Sequence, residues 1–157
     1  MNKAYSDIEL LLKDVQSDIE DVLMNEVMDA VRDVEMEHVR NDVFSVYNPS
    51  IYMRRSSGGI DDPENVKGTV KNGVLTVRND TPFNTDYNSR NKGIGLAYMI
   101  EEGGNSEHDY EYGFRSIEAP FSQPRPFIQN TIDELDRTDA IEKALQKGLK
   151  RHDIDLR

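Results

Sequence analysis

The chain has 157 residues and carries 30 Asp and Glu against 19 Lys and Arg, a formal net charge of -11 at pH 7. That balance argues against a general phosphate-backbone binder, which needs basic residues to displace counterions, and zero Cys removes disulfides, zinc fingers, iron–sulfur clusters and thiol catalysis. Hydrophobic residues make up 36%, below the ~45–50% of ordinary globular chains, so one domain with a modest core and some partner-ordered segments is expected.

The acids crowd the first stretch, where residues 1–40 hold eleven of them against four bases. Ile8, Leu11, Leu12, Val15, Ile19, Val22, Leu23, Val27, Ala30, Val31 and Val34 recur there at three- and four-residue steps, the helical period. Ser6 with Glu9 fits a capping box, and no Gly or Pro interrupts before Asn48-Pro49. The spacing predicts one helix from about Ser6 to Arg40, ~50 Å long at 1.5 Å per residue. A small domain cannot cover that length, so part of the apolar stripe is expected to lie on another chain or on an extended sheet.

Next come two short β-branched runs, Val66–Val70 and Val74–Arg78, separated by Lys71-Asn72-Gly73. Asn-Gly suits a tight hairpin because both residues accept positive φ. Ser50 to Arg55 reads as a third strand, and Leu96 to Glu101 as a short helix or strand ended by Gly103-Gly104. Asn105 to Gln123 shows no period and reads as a loop or arm. Pro126 suits the first turn of a helix carrying Ile128, Ile132 and Leu135. Thr138 and Asp139 can cap a further helical stretch with Ile141, Ala144, Leu145 and Leu149, whose basic end gathers Lys143, Lys147, Lys150, Arg151 and His152. The chain thus divides into a long helix (1–45), a sheet region (46–104), a loop or arm (105–123) and C-terminal helices (124–157).

Catalytic equipment is hard to find. Glu35 and His38 stand at i, i+3, half of a carboxylate-bridged di-metal site, but the chain has only three His and a solvated helix face is the expected reading. Glu107-His108-Asp109 are adjacent rather than convergent. Carboxylate pairs such as Asp61-Asp62 and Glu101-Glu102 lack any sign of the burial that acid–base work requires. Gly93-x-Gly95 is too short for a dinucleotide fingerprint, and Gly58-Gly59 reads as a turn. No enzyme activity, cofactor or metal is expected. No apolar stretch approaches the ~20 residues of a membrane span, and MNKAYSDIEL lacks a signal-peptide core, so secretion is not expected.

Arg54-Arg55 follow Tyr52 beside a Gly-rich loop. They either grip phosphate or an acidic partner or neutralise acids of the long helix. Four phrases in order, VYNPSIYMRRSSGGI (Val46–Ile60), VRNDTPFN (Val77–Asn84), LAYMIEEGG (Leu96–Gly104) and RPFIQNTIDEL (Arg125–Leu135), give a chain that resembles the small neck proteins of tailed double-stranded-DNA phages, of the head–tail connector or tail-completion type. The resemblance implies an α+β fold, with the long N-terminal helix and the C-terminal helix packed on a curved antiparallel β-sheet. It implies a structural virion protein assembled in the host cytoplasm into a ring, six-fold in the family, between a portal-side adaptor or stopper protein and the tail tube protein. DNA would pass through the lumen without sequence-specific binding. In that reading Tyr52, Arg54, Arg55 and Arg125 serve interfaces or ion pairs, and Phe127 seats the C-terminal helix. The rival reading is an acidic DNA mimic that inhibits a DNA-binding protein.

Overall fold

The structure, a computed structural model, describes residues 7–46, 57–82, 95–103 and 123–155. Its spine is one continuous helical run from Ile8 to Phe44: α1 (Ile8–Val22), a widened π-type turn (Leu23–Val27), α2 (Met28–His38) and a second widened turn (Val39–Phe44). At 1.5 Å per residue it spans ~55 Å. The first widening has a cause in the sequence. Val22 and Val27 are both buried, yet a five-residue step leaves the face of a regular α-helix. An i→i+5 turn brings it back. The start differs from the expected capping box: Asp7 is the N-cap, and its Oδ1 accepts the Glu9 N–H at 2.8 Å. The helix also continues past Arg40, closing with the Ser45 N–H on the Arg40 carbonyl at 3.0 Å. Asn48-Pro49 and Ser6 lie outside the described residues.

Strands β1 (Val66–Lys71) and β2 (Val74–Asn79) form an antiparallel hairpin in register Val66↔Asn79 through Lys71↔Val74. Asn72 and Gly73 take φ of 54° and 75°, the pair of left-handed conformations that a two-residue turn matching the strand twist requires. Among the described residues the sheet is this ladder alone, and the expected third strand over Ser50–Arg55 falls outside them. Val66, Gly68 and Val70 share a face with Leu75, Val77 and Asn79, and that face meets α2. Gly68 is needed there, since a methyl group on it would come within 2.7 Å of Met28 Sδ.

Helix α3 (Leu96–Glu102) buries Leu96, Ala97, Met99 and Ile100 and ends at Gly103, φ 70°. Helices α4 (Phe127–Arg137) and α5 (Ala140–Arg151) follow. The fold is therefore α+β, and the expected C-terminal helices are this pair. Asp139 precedes α5 without capping it through its side chain; its carboxylate pairs instead with Lys143 at 2.7 Å. The main core gathers Met28, Met36, Val39, Val43, Ile60, Val66, Leu96, Ala97 and Ile100 around Phe127, which is 0% exposed. A smaller core joins Val22 and Val27 to Ala144 and Leu149.

These two cores yield separate tests. Phe127→Ala should cost ~3–5 kcal/mol, the range for emptying a buried aromatic site, measured by denaturant unfolding. At Gly148 two effects compete. Alanine there would gain about 1 kcal/mol of helix propensity, but its methyl group would run into Val22 and come within 2.9 Å of Glu26 Oε2. Overpacking of this kind costs roughly 1–3 kcal/mol, so Gly148→Ala should lower stability despite the propensity gain.

Candidate assembly surface

Polar side chains fasten the structure at three points, the second and third of them on the long helix. At the first, Glu101 reaches from α3 to the start of α4: its Oε2 accepts the Ile128 N–H at 2.8 Å and its Oε1 the Gln129 N–H at 3.0 Å. Two orphan donors of the helix and its positive dipole end are satisfied together. The Arg125 N–H donates to the Ile100 carbonyl at 2.9 Å, so α3 and α4 are joined on both sides of Pro126.

At the second point, His38 lies between two carboxylates, Nδ1 2.7 Å from Asp42 and Nε2 3.1 Å from Glu134 of α4. Asn130 Nδ2 adds a hydrogen bond to Asp42 at 2.9 Å. The third point repeats the motif: His152 faces Asp18 at 3.0 Å and Asp21 at 2.9 Å. Beside it Arg151 pairs with Asp21 and, at 2.7 Å, with Glu26. Hydrogen bonds from Arg151 and His152 hold the Asp21 carboxyl below its usual range, and Arg151 does the same for Glu26.

Beyond this third point α1 is bare among the described residues. Ile8 is 71% exposed and Leu12 61%, with Leu11 at 37% on the same stripe. Where α5 begins to cover the stripe, Val15, Ile19 and Val22 of α1 form a groove of about 370 Å³ with Leu145, Leu149 and Ile154. Its lining is wholly aliphatic. A ligand cleft of similar volume carries a few convergent polar groups, whereas this one suits apolar side chains of a packing partner. The bare stripe and the groove together make the candidate assembly surface.

The residues singled out by sequence are scattered. Tyr52, Arg54, Arg55 and Glu107-His108-Asp109 lie outside the described residues. Phe127 is in the core, and Arg125 is half-buried at the α3–α4 junction. Glu35 and His38 do not converge: Glu35 is buried and accepts Asn79 Nδ2 at 2.7 Å, while His38 turns to Asp42 and Glu134. Among the described residues no group of three or more His, Asp or Glu is placed to hold a metal ion. The carboxylate pairs also do local work. Asp62 accepts the N–H groups of Gly58 at 2.7 Å and Glu64 at 3.0 Å, and Glu101 caps α4. The roles of Glu101, His38 and His152 escaped the sequence reading because each depends on a partner distant along the chain: Ile128 and Gln129, Glu134, and Asp18 and Asp21.

With this geometry in hand, comparison places the chain in a class: it belongs to the YomN family, whose model matches residues 7–151. In particular it is similar to the SPbeta prophage-derived uncharacterized protein YomN of Bacillus subtilis (strain 168), with 25% identity over 150 residues, 91% of this chain and 95% of that protein. No solved structure matches. The matched span takes in the bare stripe, the hairpin and both C-terminal helices.

Glu35 offers a pH test. Burial pushes its carboxyl above the usual range and the charge of Glu101 adds to this, against the opposing hydrogen bond from Asn79. The folded chain therefore keeps this proton at pH values where the unfolded chain has lost it. Stability from this group falls as pH rises from the ordinary Glu range through the folded-state value. Glu35→Gln should melt higher than the parent at neutral pH, and the gap should close as the solution is acidified to the ordinary Glu range.

Proposed function

We propose that the protein is a structural component of a tailed-phage virion, built into the neck as part of a ring between the portal-side proteins and the tail. The observation that carries this reading is the uncovered first half of the long helix. Apolar side chains at Ile8, Leu11 and Leu12 form a stripe that none of the described helices reaches, and burying such side chains is worth ~1.5–3 kcal/mol each. A helix extended this far into water is stable only if something else covers it in its working state. The prophage origin of the B. subtilis relative and the resemblance of the four phrases, in their order, to neck proteins support the setting. Head-to-tail contacts between copies close into a ring when the rotation allows, and the acidic balance would let DNA slide past without sticking.

The DNA-mimic alternative draws less support. It needs carboxylates presented outward as a phosphate-like array, and Asp18, Asp21 and Glu26 are bound by the chain's own Arg151 and His152.

The experiment is incorporation into particles. Phage carrying the parent chain should show it at the neck in a virion density map, whereas Leu12→Asp should be lost from particles by at least about tenfold. Leu12 is exposed in the isolated chain, so the variant should melt within about 0.5 kcal/mol of the parent. A parent chain absent from purified virions would overturn the proposal.

A further inference from the structure

The charges that border the bare stripe decide what can lie on it. Helix α1 holds five carboxylates against the single base Lys13. At 100° per residue they fall on both edges of the apolar face. Asp14, Asp18 and Asp21 follow one edge at i, i+4 and i+7, and Glu9 and Glu20 follow the other with Lys13 beside them. The first edge faces α5 and is met there by His152 and Arg151. On the second edge the hydrogen-bond partner of Glu20 is the neutral Gln16, at 2.9 Å, and Glu9 is exposed.

Three occupants can be weighed against this pattern. The same helix from a second copy would match the apolar stripe but would bring only Lys13 to Glu9 and Glu20, alongside a second pair of the same carboxylates, which disfavours it as the occupant. Helix α5 of a second copy offers Lys143, Lys147 and Lys150 in one exposed row, of which Lys143 is already held by Asp139. That row supplies charge without an apolar centre. The remaining occupant satisfies both demands, with apolar side chains for the stripe and the groove and Lys or Arg along its borders.

We infer that the α1 surface receives an amphipathic helix with basic edges from a different protein. This rests on the reading of that surface as an assembly contact, and does not depend on its location in the neck. Apolar side chains of the incoming helix fill the groove between Val15, Ile19, Leu145 and Leu149 and lie along Leu11 and Leu12. Its basic side chains meet Glu9 and Glu20. The charges choose the partner and the apolar contacts hold it.

The test uses the full chain and two synthetic helical peptides with the same Leu face, one bordered by Lys and the other by Glu. Binding is followed by fluorescence anisotropy, with light scattering of the chain alone in parallel. The Lys-bordered peptide should bind at least about tenfold more tightly at low salt, with the advantage shrinking as the Debye length falls from about 10 to about 3 Å. Leu12→Ser and the pair Glu9→Gln/Glu20→Gln should each weaken it several-fold, while Glu102→Gln, at an exposed acid on α3, should not. Equal affinity for the two peptides would overturn the inference. So would Lys-peptide binding that ignores Leu12→Ser, which would reveal attraction to net charge alone. If the chain self-associates and Leu12→Ser abolishes that, a second copy is the occupant; the inference then falls while the assembly reading stands. If neither peptide binds and the chain stays monomeric, both fall.

Discussion

One helix longer than its own cover governs this structure. From Val22 to Phe44 the spine is buried stepwise by the hairpin, by α3 and by the C-terminal pair, and the two cores lie along its length rather than in a separate layer. The remaining elements have little apolar surface to spare. A two-stranded hairpin is at best marginal by itself, and α3 is a short helix whose buried residues make sense only against α2 and α4. The spine is thus the wall against which the other described elements become stable.

Polar contacts then select one docked arrangement from the many that greasy packing would allow. Glu101 fixes where α4 starts, His38 fixes how α4 lies against the spine, and Arg151 with His152 fixes the end of α5. Each attachment sets carboxylates against donors that are distant in sequence. An acidic chain spends part of its charge in this way, which also explains why the acids of residues 14–26 are less free than composition suggests.

Local chemistry was legible in the sequence. The period of the apolar residues marked the long helix, Asn72-Gly73 marked the hairpin, and Pro126 marked the entrance to α4. Features that depend on distant partners were not. The capping of α4 by Glu101 cannot be read from Arg125-Pro126-Phe127, because the capping side chain comes from another helix. Asp139 looked like a cap by type, yet Lys143 one turn later competes for its carboxylate. The widened turn at Leu23–Val27 was latent in the five-residue step between two valines, a signal hidden by the assumption of a uniform 3.6-residue period. Of the candidate surface, the apolar surplus was readable from length alone. The groove was not, since half of its lining comes from residues 145–154.

The junction of α3 and α4 has a consequence for the chain's freedom to vary. Gly103 packs so closely on Pro124 that a methyl group would come within 2.5 Å of its nitrogen, and the Arg125 N–H is bonded to the Ile100 carbonyl. The polypeptide therefore departs and returns at a single pinned gate. Closing a chain between two such fixed posts costs entropy that grows only logarithmically with its length, so most of the constraint at this junction falls on the posts themselves.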